Sequence, residues 1–162
     1  MHVKYINLKD LLESNIYDIN EIKNKYINLL SMLTLCPDIS DLAFFDKIYE
    51  IFKIGHIFVA YIDNDNNDNN NDNNELIIVG SGTIIYEPKI IHGGSYTGHI
   101  EDIVIHENYR NNGISKIIIN KLIEYGKEKG CYKIILDCVV ELENFYIKNG
   151  FEKKGMQMAK YF

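Results

Sequence analysis

The sequence predicts an α/β (α+β) fold in which helices pack on a mixed central sheet. Two segments near the N-terminus carry apolar residues at helical spacing, and the later part of the chain alternates β-branched runs with further helical patterns. In chain order the predicted elements are two helices, three strands, a helix, a strand, a helix and a last strand. This order is typical of a mixed sheet covered by helices.

Two helices are predicted before the first strand, at residues 19–33 and 41–54. Both segments carry apolar side chains at intervals of three and four residues. Between them, Pro37, Asp38 and Ser40 are typical of a turn followed by a helix cap. The first third of the chain is therefore expected to be mainly helical.

The later elements are predicted from β-branched and aromatic runs and from the glycines that end helices. Gly130 and Gly150 each follow a helical pattern. Strands are expected at residues 56–62, 76–86, 96–105, 131–139 and 151–162, and helices at residues 114–129 and 142–149.

The tract at residues 63–74 reads DNDNNDNNNDNN and has no apolar residue. Such a segment buries too little surface to offset the entropy lost on ordering, so we predict a disordered insertion. It lies between two predicted strands and would lengthen a hairpin loop, which costs little additional closure entropy. The chain, residues 1–162, is therefore predicted to form a single domain.

The composition favours a soluble protein of the cytoplasm. The net charge of −6 disfavours a nucleic-acid partner, which binds through clustered basic residues. No apolar run approaches the roughly 20 residues of a membrane span, and the first ten residues contain no apolar leader core. Cys36, Cys131 and Cys138 lack metal-ligand spacing, so we expect reduced core thiols and no metal.

A polar turn between the predicted strand 96–105 and the predicted helix 114–129 is the most informative segment. Its residues, with the start of the helix, are Arg110, Asn111, Asn112, Gly113, Ile114, Ser115 and Lys116. Free backbone N–H groups and the positive end of the helix dipole favour an anion there. The two basic side chains suit a pyrophosphate. The alternative interpretation is an ordinary Asn-Asn-Gly turn before a helix.

Three acidic residues lie in the predicted strands. Glu101 and Asp102 are adjacent, and acids inside an apolar strand are costly unless they are paired or functional. Alternation predicts two faces, one with His99, Glu101 and Ile103 and the other with Ile100, Asp102 and Val104. The alternative interpretation is one surface acid and one bonded to neighbouring backbone.

The third acid, Asp137, shares a predicted strand face with Lys133 and Ile135. It lies at the carboxyl end of that strand, where ligands of α/β proteins usually bind. The alternative interpretation is that Asp137 caps the next helix.

Tyr146 lies in the predicted helix 142–149. A phenol can donate a hydrogen bond or a proton to a departing thiolate. The alternative interpretation is a core tyrosine. Since no cysteine or serine lies in a nucleophile motif with a paired base, we expect direct transfer without a covalent enzyme intermediate.

The pattern Arg110-x-x-Gly113-x-Ser115 resembles the R/Q-x-x-G-x-G/A signature of the GNAT superfamily, in which these amides hold the pyrophosphate of acetyl-CoA. Ser115 replaces the usual glycine or alanine. Most of residues 90–162 resemble the glucosamine 6-phosphate N-acetyltransferase family. The resemblance is carried by this turn and by the segments G-H-I-E-D-I, C-Y-K-I-I-L-D-C and F-Y-x-K-x-G-F. The likeness is faint in the N-terminal helices.

This resemblance implies the GNAT acyl-CoA N-acyltransferase fold, with a strand that splays from its neighbour, and acetyl-CoA as co-substrate. It implies transfer of acetyl to glucosamine 6-phosphate for UDP-N-acetylglucosamine biosynthesis. The implied catalytic residues are Tyr146, Asp137 and Glu101. The implied coenzyme-binding residues are Ile103, Val104, Ile105, Arg110, Asn111, Asn112, Gly113, Ile114, Ser115, Lys116, Asn144 and Tyr146. The implied substrate-binding residues are Thr34, Glu101, Asp102, Lys133, Asp137 and Lys160.

The resemblance also implies a homodimer whose C-terminal strand brings a basic residue to the partner's sugar-phosphate site. Lys160 stands where the family has one or two arginines, and Leu142 where it usually has asparagine, so Asn144 is expected to replace that contact. The alternative functions are acetylation of a protein lysine or a polyamine, a non-catalytic acyl-CoA-binding module, and a structural module with an Asn-rich arm.

Overall fold

The computed structural model describes residues 2–64 and 75–162. Its strands are β1 (Lys4–Asn7), β2 (Gly55–Asn64), β3 (Glu75–Pro88), β4 (Tyr96–Ile105) and β5 (Cys131–Ile135). Its helices are α1 (Leu8–Glu13), α2 (Ile19–Leu30), α3 (Asp41–Ile54), α4 (Ile91–Gly94), α5 (Ile114–Lys129) and α6 (Glu143–Lys148). Two short 3-10 helices, Glu107–Tyr109 and Val140–Leu142, precede α5 and α6.

Within the described residues the strands form one five-stranded sheet in the order β1-β2-β3-β4-β5. The first four strands pair in antiparallel fashion, and β5 is parallel to β4 because α5 connects them. The predicted mixed sheet with helices packed on it is confirmed.

Helices cover both faces of the sheet. On one face α1, α2 and α3 bury a cluster that includes Leu11, Ile22 and Ile48. On the other face α5 contributes Ile118 and Leu122, both fully buried. Burying such a side chain stabilises the fold by about 1.5–3 kcal/mol, so the apolar faces of these helices fix their position on the sheet.

The boundaries of α5 match the sequence prediction at both ends. Gly113 precedes the helix at φ 77° and Gly130 follows it at φ 83°, left-handed conformations that glycine adopts without strain. The N–H of Gly130 closes the helix by donating to the carbonyl of Lys127 at 3.0 Å.

The N-terminal segment contains elements that the sequence analysis missed. β1 and α1 were not predicted, and α2 ends at Leu30 rather than at residue 33. β1 has only four residues, too few to show a periodic pattern, and it pairs with β2 from Tyr61 to Phe58. Long-range pairing therefore determines this strand.

The C-terminal segment corrects two other predictions. β5 ends at Ile135 rather than at residue 139, and residues 151–162 form no strand among the described residues. A strand needs a partner for its backbone hydrogen bonds. The predicted last strand has no such partner within the described part of this chain.

Part of the predicted disordered insertion is ordered. β2 continues through Asp63 and Asn64, which pair with Leu76 and Glu75 of β3. The Asp63 carboxylate accepts hydrogen bonds from Lys4 Nζ and from the Tyr17 hydroxyl, the latter at 3.2 Å. The prediction was wrong for these two residues, and residues 65–74 lie outside the described part.

The cysteines are less buried than predicted. Cys36 and Cys131 are half-buried and Cys138 is exposed, so the expectation of core thiols was wrong for Cys138. None of the helices in residues 2–64 and 75–162 combines the length and apolar character needed to cross a membrane.

Candidate active site

β4 and β5 diverge before β4 ends. Their parallel pairing runs only from Tyr96 to His99 on β4 and stops at Ile135 on β5. β4 continues to Ile105 while remaining paired with β3 on its other edge. The β4 edge facing β5 therefore has backbone groups without a strand partner over residues 100–105, where an extended ligand can supply one.

A cleft of about 590 Å³ opens beside this unpaired edge and reaches the start of α5. Its lining includes Ile103, Val104, Ile105, Arg110, Asn111, Gly113, Ile114, Ser115, Lys116 and Tyr146. The structure thus brings together ten of the twelve residues predicted to bind the coenzyme. Asn112 and Asn144 line neither this cleft nor the second cavity described below.

The start of α5 offers backbone N–H groups to the cleft. Gly113 provides no side-chain cap, and none of the described residues accepts a hydrogen bond from the N–H of Ile114, Ser115 or Lys116. Such a helix end favours an anion through its free donors and its dipole.

The turn before α5 is held by its own side chains. Asn112 Nδ2 donates to the carbonyls of Tyr109 and Arg110, both at 3.2 Å, which explains why this side chain does not face the cleft. Arg110 Nε donates to the carbonyl of Ile105 at 3.3 Å and ties the turn to the end of β4.

Gly113→Ala is expected to weaken acetyl-CoA binding about tenfold, measured by calorimetric titration. Gly113 lines the cleft at φ 77°, so a methyl group there strains the backbone and projects where no protein atom lies within 4 Å. Gly130→Ala is the matched control, because Gly130 has φ 83° and equal space but lies outside the cleft. Both variants should lose about 1 kcal/mol of stability. Equal affinities in the two variants would exclude Gly113 from the anion site.

A β-bulge interrupts the alternation of β4. Thr83 pairs with Glu101 and Ser81 pairs with Val104. Asp102 and Ile103 therefore both lie opposite Gly82, the single β3 residue between Ser81 and Thr83. Asp102 has φ 52°, the left-handed conformation. The predicted faces were therefore wrong beyond Glu101.

The bulge changes which side chains face each helix layer. Ile103 packs with Ile100 in the cluster on the α5 side, whereas Val104 packs with the cluster under α1, α2 and α3. One extra residue on a strand redirects the side chains that follow it.

Glu101 and Asp102 both have raised pKa values. Burial by the surrounding protein raises the pKa of each carboxyl, although both residues keep an exposed fraction of their surface. The carboxylates of Asp102 and Asp137 raise the pKa of Glu101 further, and His99 lowers it. Of the three predicted acids, Glu101 is therefore the one whose pKa is raised by both of the others.

Asp102→Asn is expected to lower the pKa of Glu101, because it removes a negative charge that favours the protonated form. Asparagine tolerates the left-handed conformation of this position. Carbon-detected NMR titration of the Glu101 carboxyl would measure the change. His99→Ala is the control of opposite sign, since removal of a group that lowers this pKa should raise it. A Glu101 pKa that rises in Asp102→Asn would contradict the assigned interaction.

A second cavity, of about 680 Å³, lies between β5, α6 and the C-terminal segment. Lys133 and Asp137 line it, and Gln157 Nε2 donates to Asp137 Oδ2 at 2.8 Å. Asp137 caps neither of the helices that follow, since neither the 3-10 helix Val140–Leu142 nor α6 has a side-chain cap. The helix-cap interpretation of Asp137 is therefore wrong.

Tyr146 lines both the cleft and the second cavity. Its side chain is only 8% exposed and packs edge to face against Phe145 and Phe151, with ring centroids 5.0 and 5.9 Å away. Burial, and then the nearby Cys138 thiol, raise the pKa of its phenol, so the phenol keeps its proton. Its hydroxyl has no hydrogen-bond partner among the described residues. A buried proton donor thus lies between the two cavities.

This geometry agrees with a family match. The model of the Acetyltransferase (GNAT) family matches residues 29–151, which include all residues that line the cleft and most of those that line the second cavity. The chain belongs to this family. The fold is the GNAT fold, and acetyltransferases of this family use acetyl-CoA.

Relatives within the GNAT family have more specific names. The probable glucosamine 6-phosphate N-acetyltransferase 2 of Oryza sativa subsp. japonica is 36% identical over 137 residues, 85% of this chain and 80% of the relative. The glucosamine 6-phosphate N-acetyltransferase of Arabidopsis thaliana is 32% identical over 145 residues, 90% of this chain and 93% of the relative. The crystal structure of the Arabidopsis thaliana enzyme superposes with a TM-score of 0.81 at 28% identity, covering 100% of this chain and 99% of that chain.

Some predicted site residues of this GNAT chain lie outside both cavities. These exposed residues, which line neither one, are Thr34, Glu101, Asp102, Asn112, Asn144 and Lys160. Conversely, Met32 and Leu33 line the cleft where α2 ends, although the sequence analysis did not single them out. Their apolar character resembled that of a helix core, so no sequence signal distinguished them.

Proposed function

We propose that this chain, as a single domain, transfers acetyl from acetyl-CoA to the amine of glucosamine 6-phosphate. One observation carries the proposal: a cleft with an anion site and a cavity with acidic groups adjoin at the buried phenol of Tyr146. A thioester in the cleft and an amine in the cavity would then meet beside a proton donor. The names of the rice and Arabidopsis relatives support the sugar phosphate as the amine.

The residues of the cleft fit the coenzyme. The N–H groups of Ile114, Ser115 and Lys116 would hold the pyrophosphate, with Arg110 beside them. The unpaired edge of β4 at Ile103, Val104 and Ile105 would pair with the amide-containing arm. When bound, acetyl-CoA supplies the acetyl group as a thioester. Asn111 and Gly113 shape the turn, and roles for Asn112 and Asn144 remain proposals on the resemblance alone.

The acids would bind and orient the amino sugar. Glu101, Asp102 and Asp137 favour an amine near them, and Asp137 is held by Gln157. The neutral amine would attack the thioester carbonyl directly, with β4 backbone N–H groups stabilising the developing oxyanion. Holding both substrates in line supplies much of the acceleration. Tyr146 would donate its hydrogen bond to the departing thiolate.

We also propose that the chain works as a cytoplasmic homodimer without a metal ion, and that its product serves UDP-N-acetylglucosamine biosynthesis. β5 is an edge strand of the described sheet, and Met156, Met158, Tyr161 and Phe162 are at least 90% exposed. A second copy would cover these side chains and bring Lys160 to the sugar phosphate. Thr34 and Lys133 are the other proposed contacts to the sugar phosphate.

A thiol-release assay tests the proposed substrate. Glucosamine 6-phosphate, glucosamine and a lysine-containing peptide are compared at equal concentration with acetyl-CoA. Glucosamine 6-phosphate should react with the highest kcat/KM. In Lys160→Ala, the kcat/KM for glucosamine 6-phosphate should no longer exceed that for glucosamine. Lys148→Ala is the matched control, because Lys148 is also an exposed lysine and lies outside both cavities. Turnover of the peptide alone would instead assign a protein acetyltransferase.

A further inference from the structure

The three cysteines of the chain differ in their surroundings. Cys36 is half-buried and lies outside both cavities. Cys131 lines the second cavity but is half-buried, and burial raises the pKa of its thiol, which lowers its thiolate fraction. Cys138 also lines that cavity and is exposed. Cys138 is thus the thiol most accessible from the candidate active site.

A second observation places a ligand group next to Cys138. Tyr146 is more than nine-tenths buried, its hydroxyl has no partner among the described residues, and it lines both cavities. Cys138 and Tyr146 both line the second cavity, and the Cys138 thiol also raises the pKa of the phenol. A ligand sulfur positioned beside the Tyr146 hydroxyl would therefore also lie near Cys138.

We propose that Cys138 is a modification site that forms a mixed disulfide with coenzyme A. The inference rests on the proposed function in one respect, that the cleft holds the coenzyme with its sulfur end toward Tyr146. The co-reactant is a disulfide of coenzyme A, the oxidised form of the thiol that acetyl transfer releases.

The exchange is balanced. Cys138 loses its proton to solvent, and its thiolate attacks the sulfur of the coenzyme half that lies in the cleft. A bond forms between Cys138 Sγ and that sulfur, the original S–S bond breaks, and the other half leaves as a thiolate. One disulfide is consumed and one is formed, so no further oxidant is required.

The bond would make the site sensitive to redox state. A coenzyme half attached to Cys138 occupies the cleft and excludes acetyl-CoA. A thiol reductant reverses the bond by the same exchange. Oxidation of the coenzyme pool would then inhibit the acetyltransferase until reducing conditions return.

Mass spectrometry of the reduced full chain incubated with coenzyme A disulfide tests the proposal. One coenzyme A should be added per chain, at Cys138, at least about tenfold faster than glutathione adds from glutathione disulfide, because binding in the cleft raises the local concentration. Activity should fall in step with labelling and return with dithiothreitol. Acetyl-CoA should slow the labelling.

Two variants complete the experiment. The Cys138→Ser variant should be as active after exposure to coenzyme A disulfide as the same variant without exposure. The Cys36→Ser variant should be inactivated like the parent chain. Labelling at Cys36 or Cys131, equal rates with glutathione disulfide, or full activity of the labelled chain would each overturn the inference. Sugar acetylation without labelling of Cys138 refutes this inference alone. Labelling of Cys138 without sugar acetylation supports the inference and refutes the proposed substrate.

Discussion

Tyr146→Phe is expected to lower kcat about a hundredfold while changing KM for acetyl-CoA little. The substitution removes only the hydroxyl that would donate to the departing thiolate. The ring keeps its packing against Phe145 and Phe151, so the helix end and the cleft wall should stay in place. Steady-state kinetics with both substrates varied would separate kcat from the two KM values.

Tyr86→Phe is the matched control for this change. Tyr86 is 7% exposed and Tyr146 is 8% exposed. The Tyr86 hydroxyl is buried without a partner among the described residues, and Tyr86 lines neither cavity. Loss of an unsatisfied buried hydroxyl should leave kcat unchanged. If Tyr146→Phe behaves like Tyr86→Phe, Tyr146 has no part in the chemistry.

Gly55→Ala is expected to destabilise the fold by about 3 kcal/mol or more, the upper end of the cost of overpacking. An added methyl group would lie 2.0 Å from the carbonyl oxygen of Ile84 and 3.0 Å from its carbonyl carbon. Ile84 belongs to a central strand and pairs with both His56 and Ile100, so its backbone cannot move aside. Urea unfolding followed by circular dichroism measures the loss.

Gly98→Ala is the matched control, because its added methyl group also meets Ile84. There the nearest atom is the end of the Ile84 side chain, at 3.0 Å, and a side chain can rotate away. The cost should be about 1 kcal/mol, at the low end of overpacking. Equal urea midpoints for Gly55→Ala and Gly98→Ala would mean that the Ile84 backbone moves aside, contrary to the expectation for a central strand.

Elements with local signals were predictable. α5 was placed correctly because an apolar helical pattern lies between two glycines, and β4 because an alternating run lies between polar turns. The free N–H groups at the start of α5 were also predictable, since helix geometry determines where they point. These features depend on neighbours in sequence.

Features that depend on distant residues were not predictable. The bulge at Asp102 depends on how β4 registers against β3, and the early end of β5 depends on the divergence from β4. Residues 136–139 include strand-forming residues, but within residues 2–64 and 75–162 no neighbouring strand pairs with them. The approach of Met32 and Leu33 to the cleft likewise follows from how α2 packs on the sheet.

The divergence of β4 and β5 affects stability if the gap binds acetyl-CoA. A sheet that is left open along part of one edge gains missing backbone partners only when a ligand fills the gap. Under the proposed function, a co-substrate present at a hundred times its dissociation constant would stabilise the folded chain by about 2.7 kcal/mol. The free energy of unfolding would then rise and fall with the supply of activated acetate.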